Sequence, residues 1–339
     1  MTAPPLTQRY PEVPAETLLA GCVPPRHFRR AIFESYHPDP GHPSQETARQ
    51  LVAEVAVGLL RPRRRFARST APAALYLDGG FGVGKTHLLA ALAHAVEAQA
   101  ASFGTFVEYT HLVGALGFRP TVRALAHRRL VCIDEFELDD PGDTVLMSRL
   151  LRELSDAGVT LAATSNTLPD SLGEGRFAAD DFLREIQALA ARFVVLRIDG
   201  PDYRHRGAPH TACGLPDDAV RSAVAAVPGS VCDDFGALLA HLRGIHPVRY
   251  RALLDGVAVL GLTAVQPLTD QSDALRLVVL VDRLYDQDVP VVLGGSGTEG
   301  LFGEAMLRGG YRKKYLRALS RLEALAEQGH VLVGRRDPS

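Results

Sequence analysis

Lys85 closes a glycine-rich stretch whose residue types and spacing are typical of a phosphate-binding loop. The stretch is Gly79-Gly80-Phe81-Gly82-Val83-Gly84-Lys85-Thr86, a complete G-x-x-x-x-G-K-[ST] pattern. Only three of the 37 lysines and arginines in the chain are lysines, so a lysine here departs from the usual choice of cation. An ammonium is a compact point charge that fits between phosphate oxygens, whereas a planar guanidinium is wider. The loop therefore predicts a nucleoside triphosphate site.

The sequence on either side of this loop has the pattern that the motif requires. Residues 74–78 predict a short buried strand, and residues 86–95 predict an Ala- and Leu-rich helix. Between them, the backbone N–H groups of the turn and of the helix N-terminus would point at the phosphates. We expect the nucleotide to be bound by Gly79, Gly80, Phe81, Gly82, Val83, Gly84, Lys85, Thr86 and His87. A catalytic role for His87 is conceivable, but its position favours a first-turn helix residue that faces a packed loop.

Asp134 and Glu135 follow four apolar residues and form a second candidate element. An acid at the carboxyl end of a parallel strand lies where such sheets bind ligands. We predict that Asp134 holds Mg²⁺ and that the hydroxyl of Thr86 is a second ligand. Glu135 is placed to orient or deprotonate the attacking water, which predicts hydrolysis rather than nucleotide binding alone.

Asn166 ends the next predicted strand, and arginines downstream of it are candidates for a further catalytic role. The Asn166 amide is predicted to hydrogen-bond the attacking water or the γ-phosphate, although asparagine is also an ordinary turn residue. An arginine finger would neutralise charge that develops on the γ-phosphate. Because arginine is abundant, the choice stays open, in the order Arg192, Arg321, Arg184, with Arg176 and Arg317 also considered.

The wider pattern predicts an α/β fold with a parallel sheet flanked by helices. Strands are expected at residues 74–78, 104–108, 130–133, 159–164 and 193–198, in alternation with helices. Residues 1–72 form a Pro-rich helical N-terminal segment, in which Ser44 caps a helix that continues to about Leu60. Residues 73–206 form the P-loop core. Residues 207–339 form a mixed α/β region that ends in a basic helix, and periodicity leaves open whether it extends the first sheet.

Composition limits the classes of function. With 46% hydrophobic residues, 22% charged residues and a net charge of −2, the chain has an ordinary globular composition and no strong nucleic-acid signal. No apolar run approaches the roughly 20 residues that span a bilayer, and the N-terminus has no secretory pattern. We therefore expect a cytoplasmic protein without a transmembrane segment. The four cysteines lack metal-ligand spacing.

The block of residues 130–140, which contains VCIDEFELDD, resembles the Walker B region of the ZapE/AFG-like ATPases. The resemblance continues, in the correct order, through residues 158–166, 182–183, 198–204, 280–286 and 319–322. It implies an AAA+-type P-loop ATPase that uses ATP and Mg²⁺ and acts at the bacterial division ring, with mitochondrial relatives in protein quality control. The implied partner is the tubulin-like division filament, and a homo-oligomer is possible. Residues 178–182 depart from an Arg-rich stretch of that family.

Three other functions stay open from the sequence. Residues 84–89 also resemble the loops of DnaA- and DnaC-type replication helpers, but residues 207–339 do not have the pattern of a helix-turn-helix domain. A non-catalytic adaptor could use ATP only to set its conformation, which the presence of Glu135 argues against. A small-molecule kinase is less favoured, because Glu135 and Asn166 suit water better than a substrate hydroxyl.

Overall fold

The computed structural model describes residues 4–61, 74–80, 82–97, 99–136, 141–167, 191, 193–201 and 212–334. Contacts divide the chain into two compact units. We call residues 15–206 the P-loop unit, and residues 1–14 together with 207–339 the terminal unit. The predicted segment of residues 1–72 is thus shared between the two units. Within the described residues, no helix has both the length and the apolar character needed to cross a membrane.

The P-loop unit contains a parallel sheet of five strands. These are β1 (Ala74–Gly79), β2 (Ala101–Thr105), β3 (Leu130–Asp134), β4 (Thr160–Ser165) and β5 (Val194–Ile198). Their order is β2-β3-β4-β1-β5. The central strands are apolar along most of their length because both faces are covered. In β1, Ala74 and Tyr76 enter one core, whereas Leu75 and Leu77 enter the core on the opposite face.

Helices cover both faces of this sheet. They are α1 (Ala15–Ala20), α2 (Pro43–Leu60), α3 (Lys85–Ala95), α4 (Phe106–Leu116), α5 (Phe118–Ala126) and α6 (Pro141–Asp156), with 3₁₀ turns at Arg26–Phe28 and Phe33–Ser35. Buried side chains of α2 and α3 fill one core, and those of α4, α5 and α6 fill the other. The arrangement is a three-layer α/β fold, as predicted.

Two local predictions were wrong. The second strand is not residues 104–108 but Ala101–Thr105, because Thr105 and Glu108 form a capping box that starts α4. In that box the Thr105 N–H donates to Glu108 Oε2 at 2.6 Å. Ser44 is not the N-cap of α2, which begins at Pro43 after His42. The Ser44 hydroxyl instead accepts a hydrogen bond from the Asp199 N–H at 2.9 Å.

The terminal unit has a sheet of its own, and none of its described residues, 212–334, extends the first sheet. Its strands β6 (Val231–Asp234), β7 (Leu260–Thr263) and β8 (Val291–Leu293) are parallel and adjacent in that order. Its helices are α7 (Asp217–Ala225), α8 (Phe235–Arg243), α9 (Tyr250–Leu253), α10 (Gln271–Asp286), α11 (Glu304–Arg308) and α12 (Arg312–Gly334).

The first residues of the chain belong to the core of this terminal unit. Leu6 is fully buried among side chains of β6, α8 and α9. The backbone N–H groups of Leu6 and Thr7 donate to the two carboxylate oxygens of Asp233 at 2.8 and 3.0 Å, and the Thr7 hydroxyl adds a bond of 2.7 Å. Asp233 is itself 3% exposed. A buried carboxylate needs such donors, so the 3₁₀ turn at Leu6–Gln8 and β6 stabilise each other.

Candidate active site

The loop between β1 and α3 has the geometry that its glycines predict. Gly84 has a φ of +89°, which is a left-handed conformation that favours glycine. At Gly79, a Cβ atom would lie 2.2 Å from the carbonyl oxygen of Ile198, so only glycine fits beside β5. The first turn of α3 follows directly at Lys85, with its N-terminal N–H groups at the end of the loop. Phe81, also expected to bind nucleotide, lies outside the described residues.

Lys85 and Asn166, 81 positions apart in sequence, are brought into contact. The Lys85 Nζ donates to the Asn166 Oδ1 at 2.9 Å, and to the carbonyl oxygens of Gly79 and Gly80 at 2.8 and 2.5 Å. The lysine is only 8% exposed. Because β4 lies beside β1 in the sheet, residues that follow β4 reach the loop that follows β1. The arrangement places an amide oxygen and an ammonium at one point of the loop.

Thr86 and Asp134 also meet at this edge of the sheet. The Thr86 hydroxyl donates to Asp134 Oδ1 at 3.1 Å, and Asp134 is 6% exposed at the carboxyl end of β3. A hydroxyl and a carboxylate oxygen are the hard ligands that Mg²⁺ prefers, and Mg²⁺ commonly takes its other ligands from water and phosphate. The two side chains therefore fit the predicted metal-binding role.

Thr164 is a functional candidate that the sequence interpretation missed. Its hydroxyl donates to Asp134 Oδ1 and accepts a bond of 3.1 Å from the Glu135 N–H. Its carbonyl accepts a bond of 2.7 Å from the Phe136 N–H. Glu135 has a φ of +53°, which is uncommon for a residue with a side chain. Thr164 thus fixes the turn that carries both acids, and its position just before Ser165-Asn166 was the available signal.

A short segment of residues 28–36 packs against the loop from outside. The His87 Nε2 lies 3.1 Å from the Ile32 carbonyl oxygen and 3.0 Å from the Ser35 hydroxyl. Its ring centroid is 5.7 Å from that of Tyr36. His87 therefore has the packing contacts expected of a first-turn residue facing a loop, and a nucleotide contact by His87 stays a prediction. Tyr36 is a second residue that the sequence interpretation missed.

Asp78, the last residue before the glycines, adds a buried carboxyl group. It is 5% exposed, and burial raises its pKa, although the positive charges of Arg197 and Lys85 oppose the increase. Arg197 pairs with Asp199 at 3.0 Å.

Of the five candidate arginines, only Arg317 and Arg321 lie within the described residues. Arg176, Arg184 and Arg192 lie outside the described residues. Arg321 lies in the terminal unit, where its Nη1 is 2.5 Å from Asp282 Oδ1 and its guanidinium is 5.1 Å from the ring centroid of Tyr285. Arg317 contacts the other oxygen of the same carboxylate at 2.9 Å. Burial would raise the pKa of Asp282, but the neighbouring arginines outweigh burial and lower it.

The comparison with known families agrees with this geometry. The sequence model that describes the AFG1-like ATPases matches residues 12–226 and 217–335 of the chain. The chain belongs to the AFG1-like ATPase family. This confirms the resemblance seen in the sequence. With the parallel sheet and the loop between β1 and α3, it also confirms the predicted P-loop α/β fold.

Individual relatives match only a part of this chain. The cell division protein ZapE of Escherichia coli K12 is 32% identical over 161 residues, which are 44% of this chain and 43% of that protein. An uncharacterized protein of Schizosaccharomyces pombe is 30% identical over 150 residues, 39% of this chain and 33% of that protein. The matched region thus spans less than half the length of either relative.

Solved structures resemble the chain only broadly. Domain III of the Thermotoga maritima replication initiation protein DnaA is 18% identical, with a TM-score of 0.40 over 58% of this chain and 74% of that one. A katanin structure is 14% identical, with a TM-score of 0.39 over 96% of this chain and 97% of that one. These similarities are too weak to bear on function, which depends on the residues of the site.

Proposed function

We propose that this AFG1-like protein is a Mg²⁺-dependent ATPase that couples ATP hydrolysis to the remodelling of a protein partner. The observation that carries the proposal is the meeting of four groups at one edge of the sheet. Lys85 contacts Asn166, and Thr86 contacts Asp134, at the carboxyl ends of three adjacent strands. Ligands of open parallel sheets bind at this edge.

Each group at this edge has a role in phosphate chemistry. The loop and Lys85 bind the β- and γ-phosphates, and Lys85 exchanges its bonds to the Gly79 and Gly80 carbonyls for phosphate oxygens. The Thr86 hydroxyl and the Asp134 carboxylate would hold Mg²⁺. When bound, Mg²⁺ neutralises charge on the phosphates. Nothing in these residues distinguishes ATP from GTP, so the preference for ATP rests on the family.

Glu135 and Asn166 act on the water that attacks the γ-phosphate. Glu135 is half-buried, and the Thr164 hydroxyl fixes its backbone N–H at 3.1 Å. From this turn its carboxylate accepts a proton from water, the step that separates hydrolysis from binding alone. Asn166, already hydrogen-bonded to Lys85, orients the water or the γ-phosphate. The roles of Arg192 and Arg321 as fingers remain proposals that rest on the need for positive charge at the transition state.

Hydrolysis is tested by Glu135→Gln. We expect the turnover number to fall by roughly 10²–10⁴, while the Kd for Mg-ATP changes less than about threefold, because the amide keeps the shape but accepts no proton. Phosphate release and calorimetric titration measure the two quantities. Glu153→Gln is a matched control, since Glu153 pairs with Arg149 on α6 and should leave both unchanged. Full turnover in Glu135→Gln would remove Glu135 from the mechanism.

A partner at the division ring is supported by the relative named as a cell division protein. The experiment compares steady-state ATPase rates with a polymerised tubulin-like division filament, with single-stranded DNA and without addition. We expect only the filament to raise the ATPase rate. We also expect the mass of polymerised filament to fall when ATP is present. Stimulation by DNA alone would favour a replication helper instead. Size-exclusion chromatography with and without ATP tests the proposed homo-oligomer.

A further inference from the structure

Tyr36 makes a direct contact with the backbone of the phosphate-binding loop. Its hydroxyl donates to the carbonyl oxygen of Val83 at 2.9 Å, and both residues are buried, with exposures of 7% and 2%. The side chain comes from the end of the 3₁₀ turn Phe33–Ser35, 47 positions before Val83. Its ring also lies against Gly84, where a Cβ atom would be 2.4 Å from the Tyr36 Cε2.

This contact determines how one peptide group of the loop is oriented. The peptide bond between Val83 and Gly84 is planar and trans, so its C=O and its N–H point in opposite directions. Tyr36 holds the C=O toward the residue 28–36 segment, which directs the Gly84 N–H to the other side. The neighbouring Gly84 has a φ of +89°, a region where glycine meets little steric hindrance. The peptide group would therefore rotate readily without a partner.

We propose that Tyr36 is a positioning residue for nucleotide binding, which orients the Val83–Gly84 peptide so that the Gly84 N–H faces the phosphates. Loop N–H groups bind phosphate oxygens in such loops, and their number and direction set the affinity. The inference rests on the proposed function, since it concerns the same site. It assigns a role to a residue that lies outside the G-x-x-x-x-G-K-[ST] pattern and acts through the loop backbone.

Two further contacts fix Tyr36 in this place. The Tyr36 N–H donates to the Phe33 carbonyl oxygen at 3.3 Å. The Ser35 hydroxyl, one residue earlier, lies 3.0 Å from the His87 Nε2 on the first turn of α3. The turn is therefore attached to the loop at Val83 and to the helix at His87. A rigid support on both sides of Gly84 is what a positioning role requires.

The test is Tyr36→Phe, which keeps the ring against Gly84 and removes only the hydroxyl. We expect the Kd values for ADP and for a non-hydrolysable ATP analogue to rise together, by roughly three- to tenfold, the effect of one hydrogen bond. The turnover number at saturating ATP should stay within about twofold, because the bond acts on binding and not on water activation.

Tyr250→Phe is a matched control. The Tyr250 hydroxyl donates to the Leu242 carbonyl at 3.1 Å, and Tyr250 is fully buried in the terminal unit. Both variants should lose similar stability to urea, but only Tyr36→Phe should lose affinity. Equal Kd values for Tyr36→Phe and the wild type, or equal losses in the two variants, would overturn the inference and leave the ATPase proposal standing. A wild-type protein that binds neither nucleotide would overturn both.

Discussion

Replacing Asp282 by Asn should destabilise the terminal unit far more than a typical surface ion pair would suggest. Asp282 on α10 accepts hydrogen bonds from Arg317 and Arg321 on α12, at 2.9 and 2.5 Å. The side chains are 15%, 21% and 20% exposed, in the same order. Asparagine keeps the shape of the residue but removes the charge, so two neighbouring guanidinium groups lose the anion that they share.

The size of the effect follows from burial. Removing one partner of a buried ion pair costs about 3–5 kcal/mol. Each arginine side chain stays about a fifth exposed, so water compensates in part for the lost ion pair. We therefore expect a cost at the lower end of this range, about 3 kcal/mol. For a unit of this size, that corresponds to a decrease of roughly 6–12 °C in Tm.

Urea unfolding of the full chain, followed by a probe in the terminal unit, measures the change. Glu304→Gln is the matched control, because the pair of Glu304 with Arg308 has side chains that are 85% and 77% exposed. It should cost no more than about 0.5 kcal/mol. A difference between Asp282→Asn and the wild type below about 0.5 kcal/mol at pH 7 would refute the reasoning.

The dependence on pH gives an independent check of the same contact. The arginines lower the pKa of Asp282 in the folded protein. The stabilisation is therefore present above the pKa of the unfolded state, near 4, and is lost as the pH falls through the lower folded value. The wild type and Asp282→Asn should therefore converge in stability in acid. A difference that stays constant down to low pH would mean that the carboxylate charge is not responsible.

Three more substitutions test other parts of the site. Thr164→Val removes the hydroxyl that holds the Asp134–Glu135 turn, and should lower the turnover number roughly ten- to a hundredfold, measured by phosphate release, with little change in nucleotide Kd. Asp78→Asn should raise the free energy of unfolding at pH 8, because burial raises the pKa of Asp78 and its ionisation then opposes folding. Below the ordinary carboxyl pKa, near 4, the substitution should not raise it. Urea titrations at pH 8 and below that pKa measure the two free energies of unfolding. Arg321→Gln removes one of the two arginine contacts of Asp282 and should lower stability less than Asp282→Asn does. A fall of 10³ or more in turnover while the variant remains folded would instead support a finger role.

Sequence reasoning was most successful where one stretch of chain carries the information. The phosphate loop, β3 and the end of β4 each have a local pattern, and parallel strands bring their carboxyl ends to one edge. The contacts of Lys85 with Asn166 and of Thr86 with Asp134 agree with that logic. The ends of strands and helices were harder to predict. The second strand was placed three residues too late in the sequence, because apolar residues 106–107 fit a strand as well as a capped helix.

Hydrogen bonds that involve residues outside these local patterns could not be predicted. Tyr36 acts through one hydrogen bond to a backbone carbonyl, and no pattern in its own neighbourhood indicates this partner. At Thr164 the sequence shows only a position just before Ser165-Asn166, and it does not indicate that the hydroxyl contacts Asp134 and the Glu135 N–H. The order of strands in the two sheets also depends on packing of whole elements. The attachment of Leu6 to Asp233 joins residues 227 positions apart, and nothing near Leu6 distinguishes it from any apolar residue in a Pro-rich stretch.

That attachment has a consequence for synthesis on the ribosome. Leu6 and Thr7 are made before the carboxylate that binds them, which follows only after 225 more residues. At about 5–20 residues per second, the segment waits roughly 10–45 s without its partner. During that time the P-loop unit can be completed, whereas the terminal unit cannot close. A chain without Leu6 and Thr7 would therefore leave Asp233 without these donors and harm a region translated much later.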